Sequence, residues 1–501
     1  MILICRFYGC PQQNLYKILD NPSFITKYSL SNEQVLRMAQ IRKLAISIKA
    51  LLKASANRNT SVFVLLSIII ILLIVDTSIG RAASVVVGRF SDPKFATFVL
   101  IGSIIGVAQY FVLRFVKKES ISTRTAERLH FTLIHRITEF SQYLLVAIFL
   151  FVVLQMIFFS FYSIAALTLA TVISYTLAGI MMTLLTNKFF EWFKSNRNSV
   201  VFLYGLSSGM ITINLAVTCL FVADILQSQP IVVSSSHLIN VPFIAPYSLA
   251  DLLDYPYVIS SILSFILSWI ATVWLLRHYS YTLGTIRLWI FLCLPLIFFL
   301  LQFGSLFTDL LSPFFRMQPV FFGTLYALFF AFSKPVGGIL FGIAFWALAY
   351  KIRNNTIIRN YLLLSAFGFM LLFVSNQAVV LTFNLYPPFG LSSVSFIGLS
   401  SYLLIIGIYS SATSLSQDIK LRQSIRRSAR KQLELLDRIG MAHMEQQLEK
   451  RVLNIVKAEQ KSMIEETGVQ TSLTEDDMKS YLSQVLAEIE KSNNRRHGSV
   501  K

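Results

Sequence analysis

The sequence predicts an all-α protein: a polytopic transmembrane helix bundle of about ten spans, with amphipathic helices in its cytoplasmic terminal segments. Three observations carry this expectation. Hydrophobic residues make up 55% of the 501, and charged residues only 14%, against roughly 25% in soluble domains. Ten apolar stretches come close to or exceed the roughly 20 residues that cross a hydrocarbon core. The basic residues behind a net charge of +19 are spread over short loops and the two terminal segments. A soluble chain this basic would suggest nucleic acid. The distribution here follows the positive-inside rule instead, so the expected partner is the lipid bilayer and no nucleic acid.

The stretches cover 61–80, 95–116, 142–160, 164–186 and 199–226, then 258–276, 288–307, 320–350, 361–381 and 391–412. Three regions follow: a basic cytoplasmic segment over 1–60, the membrane domain over 61–412 and a cytoplasmic helical tail over 413–501, disordered at its end. Orientation comes from Lys and Arg. One set of loops carries Lys117, Lys118, Arg124, Arg128, Arg136, Lys188, Lys194, Arg197, Arg277, Arg287, Lys351, Arg353 and Arg359. The alternate loops carry Arg81, Arg89, Lys94 and Arg316. The first set is therefore cytoplasmic, in a cell membrane, and both basic termini join it, which requires an even number of spans.

The eighth stretch is too long for one upright helix, and Ser333-Lys334-Pro335 with Gly337 and Gly338 interrupts it. Two readings fit: one kinked helix, or a re-entrant or interfacial piece up to Phe332 followed by a shorter span. Spans four to six also resemble spans eight to ten. Arg197-Asn198 precedes Asn214-Leu215-Ala216-Val217 at the spacing by which Arg359-Asn360 precedes Asn376-Gln377-Ala378-Val379. Tyr255-Pro256 and Tyr386-Pro387 follow in turn. Four crossings separate the copies, so a genuine repeat would be parallel, about an axis along the membrane normal. Chance similarity among apolar segments is the alternative.

The candidate intramembrane polar site is Lys334, Asn214 and Asn376. An ionisable group inside a span is expensive and points to function. In a continuous eighth helix, Lys334 sits at mid-depth and needs a carboxylate, carbonyl, water or anionic ligand; Asp76, Asp224 and Asp309 are possible partners in the chain. In a broken one it snorkels to the outer interface. The two asparagines read structurally as interhelical glue and functionally as the lining of one central cavity. Asp76 and Asp224 lie near outer helix ends and are expected to be interfacial; Gln109, Gln155 and Gln302 are expected to make helix contacts.

Residues 31–53 read as a cationic amphipathic helix on anionic inner-leaflet lipids, with a capping box at Ser31–Gln34. In the tail, Ile425, Leu436, Ile439, Met444, Leu448, Val452 and Ile455 recur at helical spacing. This predicts a long helix, either a coiled coil or a surface helix packed on the cytoplasmic loops. A second helix begins at Thr474.

No catalytic, cofactor-binding or metal motif is present: neither a phosphate-binding glycine loop nor a zinc helix, nucleophile elbow or kinase set. His443 reads as a helix-surface histidine, and Cys219 and Cys293 as small core residues. The leading functional expectation is a non-enzymatic sensor or receptor-like protein that relays through its tail to a cytoplasmic protein partner. The rivals are a secondary transporter with a polar cavity at mid-depth, and a membrane scaffold or assembly subunit.

Overall fold

A computed structural model describes residues 58–83, 91–122, 128–195, 197–229, 231–234, 247–277, 284–303, 319–352, 356–383, 386–417, 439–447 and a few positions up to 458. The chain divides into Met1–Ser61, which lies almost wholly outside these residues, and Val62–Lys501, which holds the bundle. The expected N-terminal helix over 31–53, Cys5, Cys10, Asp309 and the helix from Thr474 lie outside the described residues.

The elements in order are α1 (Arg58–Ala83), α2 (Ser91–Ser122), α3 (Arg128–Phe159), β1 (Phe161–Ser163), α4 (Ile164–Ser195), α5 (Ser199–Gln227), β2 (Val232–Ser234) and α6 (Leu249–Leu276). They continue with α7 (Thr285–Leu301), α8 (Pro319–Ala331), α9 (Ser333–Lys351), α10 (Thr356–Ser375), α11 (Val380–Phe383) and α12 (Leu391–Gln417). Among the described residues, nine helices are long and apolar enough to cross a membrane. These are the helices of a multi-pass membrane protein. Their exposed surface carries large apolar side chains such as Phe140, Phe151, Phe158 and Leu150. A helix apolar on every face suits protein on one side and lipid on the other. Pro256 in α6 and Pro295 in α7 interrupt their hydrogen-bond ladders without ending the helices, as membrane helices tolerate.

Local sequence sets several boundaries. Asn198 caps α5 by accepting from the Val200 N–H at 2.8 Å. Ser248 caps α6 by accepting from Asp251 N–H at 3.1 Å, with Asp251 itself at the positive end of the helix. The eighth stretch is interrupted at Phe332, between the end of α8 at Ala331 and the start of α9 at Ser333. Phe332 keeps helical backbone angles, φ −86° and ψ −8°, and one apolar span, Leu328–Tyr350, runs through it, as the reading of a single helix expects. Pro335, which has no N–H to give, stands in the next turn. The seventh apolar stretch forms the 17-residue α7, shorter than the nine; residues 304–318 lie outside the described ones.

α12 and α10 form the centre. Their spans are 94% and 83% buried, whereas those of α1, α2 and α3 are 44%, 44% and 33% buried and face outward. α10 and α12 touch almost backbone to backbone: a Cβ on Gly368 would stand 2.8 Å from Leu404 N, and one on Gly407 would stand 2.6 Å from Ser365 N. Small residues at such contacts let membrane helices gain van der Waals packing where no hydrophobic force drives them together. α4 packs on α12 and α5, and α5 packs on α6. Along α6, the buried Ser260, Ser264 and Ser268 make a ridge of small residues, and Ser268 bonds Ser207 of α5 at 2.7 Å.

Two features depart from the expected pattern. β1 and β2 pair antiparallel, with Tyr162 opposite Val233. Three residues are too few for a readable period of two. In the tail, residues 439–447 form a helix seated on the end of α12. Ile439 and Ala442 are buried there, and Gly440 lies against Leu415. His443 is 3% exposed, which corrects its reading as a surface residue: its Nε2 lies 3.3 Å from the Thr413 hydroxyl, and its ring meets Tyr409 edge-on. Periodicity marks which face of a helix is apolar, but not which polar group on that face finds a partner in another element.

Candidate functional site

α10 stops at Ser375, although the apolar segment runs on to Thr382. Beyond it the backbone turns: Gln377 N–H bonds Ser375 O at 2.8 Å, and Val380 N–H bonds Gln377 O at 3.0 Å. The Asn376 carbonyl is thereby released from the helix ladder. It accepts a hydrogen bond from Lys334 Nζ at 3.5 Å. Such an interruption inside a membrane bundle is tolerated only where protein or a cavity satisfies the freed groups.

The side chains around this break form one chain of hydrogen bonds. Asn376 Nδ2 donates to Asn214 Oδ1 at 3.0 Å, and Asn214 Nδ2 donates to Ser260 Oγ at 3.1 Å. The Tyr175 hydroxyl donates to Asn376 Oδ1 at 3.0 Å. Four elements, α4, α5, α6 and the end of α10, are tied together by groups that would each be costly to bury alone. The three residues singled out in the sequence, Lys334, Asn214 and Asn376, are thus brought together. The two amides bond each other directly, and Asn214 is 1% and Asn376 8% exposed, so in this conformation they close on one another instead of lining an open cavity.

Lys334 is half-buried in the first turn of α9. Its ammonium lies 5.6 Å from the centre of the Tyr257 ring, and Tyr257 stacks on Phe221 with centroids 5.0 Å apart. The contact to the Asn376 carbonyl ties Lys334 to the turn that follows α10. Among the described residues no carboxylate pairs with it. Asp76 and Asp224 are committed elsewhere. Asp224 Oδ2 accepts from the Ala250 N–H at 2.8 Å. Asp76 is wholly buried, which corrects its expected interfacial place: Oδ2 accepts from Gly390 N–H at 3.1 Å and from Ser393 Oγ at 3.0 Å. The segment before α12 covers it. Arg81, at the end of the first span, is in electrostatic reach of the Tyr257 and Tyr326 hydroxyls. Lys334 and Arg81 thus both bring positive charge to Tyr257.

The glutamines behave in three ways. Gln155 Oε1 accepts from Ser163 N–H at 3.2 Å, and Gln302 Oε1 accepts from Ser333 Oγ at 3.0 Å. Gln109 is buried with no partner for its Nε2. Sequence reasoning did not single out Tyr175, Tyr257 or Ser260. A tyrosine well inside an apolar span was the available signal, because a phenol there needs a partner. Nor did it single out the tie in which His135 Nδ1 lies 2.8 Å from the Tyr402 hydroxyl and its Nε2 lies 3.6 Å from Glu139. Among the described residues no group of three or more His, Cys, Asp or Glu could hold a metal.

No family model, curated protein or solved structure matches the chain.

Proposed function

We propose that the chain is a ten-span secondary transporter, with both termini in the cytoplasm of a cell membrane, that binds a small anionic solute beside Lys334, Asn376 and Asn214. The observation that carries this reading is the Lys334 ammonium, held without a carboxylate partner among the described residues, against a carbonyl released by a helix break. Discontinuous helices whose loose backbone and N-terminal dipoles meet at mid-depth are how many transporters build substrate sites. Arg81 adds positive charge from the outer side. The tenth span is α7, and the even count keeps both basic termini with the basic loops. The parallel repeat fits as well: its matched asparagines meet, and the second copy is broken at the position where α5 runs through.

Electrostatics test this without knowledge of the solute. With Cys5, Cys10, Cys219 and Cys293 replaced, Lys334→Cys is treated from outside with two thiosulfonate reagents of similar size, one anionic and one cationic. The remaining positive field should make the anionic reagent react about tenfold faster, the low end of what focused fields produce. Millimolar phosphate, sulfate or a dicarboxylate should slow the reaction. A preference for the cationic reagent, or no reaction with either, would remove the anion site.

A second reading, the sensor, has its own observation. The tail helix seats His443 against Thr413 and Tyr409 of α12, and Glu445 accepts a hydrogen bond from Ser195 of α4. Truncation after Gln417 separates the two. A transporter without its tail still takes up solute, whereas a relay loses its cytoplasmic protein partner.

A further inference from the structure

Away from the Lys334 cluster, a cleft of about 400 Å³ opens between α2 and α3 and ends on the first turn of α12. Such a volume falls within the roughly 300–1,000 Å³ of small-molecule sites. Its origin is local. At Gly102 the Phe149 ring occupies the space a Cβ would take, whereas one turn on, at Gly106, the nearest atom to a Cβ would be Val146 Cγ2 at 3.9 Å, which leaves room between α2 and α3. Val107, Val146 and Leu150 form a rim that is exposed on the outer face of the bundle. That face meets acyl chains in a membrane.

Three polar atoms at the floor of this apolar cleft are buried without any hydrogen-bond partner: Gln109 Nε2, Gln142 Oε1 and Ser392 Oγ. Their residues are 2%, 1% and 3% exposed. The amide nitrogen of Gln142 is anchored, with Nε2 donating to Ser395 O at 3.4 Å, so the side chain is held beside the cleft while its oxygen has no partner. Buried polar groups of this kind are rare in native proteins and each calls for a partner. Among the described residues no Lys, Arg, His, Asp or Glu lines the cleft, so none of them neutralises a charged headgroup there.

We infer that this cleft binds a neutral long-chain alcohol from the bilayer, chain toward lipid and hydroxyl on the floor. A hydroxyl both accepts and donates, so it can serve an amide N–H such as Gln109 Nε2 and an amide oxygen such as Gln142 Oε1, and Ser392 takes either role. A lipid ending in a carbonyl alone, such as an ester or a quinone, leaves Gln142 Oε1 unmet. A carboxylate brings a charge with no cation. The site lies apart from the proposed anion site and does not depend on it.

The test uses the full chain in phospholipid nanodiscs and a hexadecanol carrying a mid-chain diazirine and a terminal alkyne. Irradiation should label peptides within 102–113 and 142–150. Excess hexadecanol should lower labelling about tenfold, while hexadecane and hexadecyl methyl ether should not, because a site built to bond a hydroxyl rejects the analogue that lacks it. Gln109→Leu and Gln142→Leu should each lower labelling about tenfold; Gln109→Leu removes an unsatisfied buried group and leaves the fold intact, whereas Gln142→Leu also gives up the bond to Ser395 O, so its thermal stability is measured alongside. Gly106→Phe should abolish labelling by filling the space. Competition by hexadecane equal to that by hexadecanol would overturn the inference and make the cleft a seat for ordinary acyl chains. So would labelling unchanged in both glutamine variants. Spontaneous disulfide-linked dimers of a Val107→Cys variant, lost on adding Gly106→Phe, would assign the cleft to a second copy of this chain and overturn it as well.

Discussion

Gly407→Val destabilises the bundle by about 3 kcal/mol or more, at or above the upper range of overpacked core sites. The reason is geometric. A Cβ on residue 407 would stand 2.6 Å from Ser365 N and 2.7 Å from Tyr361 O. Both atoms belong to the α10 backbone, which cannot rotate away as a side chain can. The two most buried helices must separate, and every contact along them weakens together. Gly179→Ala is the matched control, because nothing lies within 4 Å of its Cβ; it should be neutral or stabilise by roughly 0.5–1 kcal/mol through helix propensity. Thermal unfolding in detergent, followed by size-exclusion profiles, compares the two. Equal melting temperatures would show that α10 and α12 are not in backbone contact.

Asp76→Ala is the second large loss, about 3 kcal/mol, the scale of a lost helix cap plus an orphaned buried donor. Gly390 precedes α12 with φ +93°, a conformation open to glycine, and its carbonyl receives Val394 N–H at 2.8 Å. Its own N–H and the Ser393 hydroxyl have Oδ2 of Asp76, on α1, as acceptor. A cap supplied from another helix fixes where the chain re-enters the bundle after α11. Both donors use Oδ2, and Oδ1 has no partner. Asp76→Asn can therefore keep both bonds with its amide oxygen, and it should lose no more than about 1 kcal/mol. The ordering wild type, Asn, Ala in a denaturation series is the measurement. An Asn variant as weak as Ala would mean that the residue acts through its charge and not as a cap.

These two sites also show where sequence reading stops. The spans were legible because lipid imposes one requirement, length without charge, on every crossing. The interruption at Phe332 was legible because Pro335 restricts the backbone wherever it stands. Asn214, Asn376 and Lys334 were legible as polar exceptions in apolar runs. That they touch was suggested, for the asparagines, by the repeated pattern around them. Asp76 was misplaced because residue spacing measures distance along α1 and cannot see that the segment before α12 folds inward over it. His443 was misplaced for the same reason: its partners Thr413 and Tyr409 belong to a different helix. The cleft was illegible because it arises from how the side chains of α2 and α3 meet around Gly102 and Gly106, a property of two helices and not of either sequence.

α12 begins beneath Asp76 and ends beneath His443, and its 27 residues extend about 40 Å at the usual rise of a helix. No proline interrupts it, and its span is the most deeply buried of the nine. Such a rod has few ways to absorb displacement along its length. Whatever shifts its end at Asp76 must shift the platform on which residues 439–447 sit. Linkage then runs in both directions with equal strength. A factor that lifts residues 439–447 off α12 would be felt at Asp76 by the same factor by which a change at Asp76 alters that factor's grip, and the tail becomes an input as much as an output.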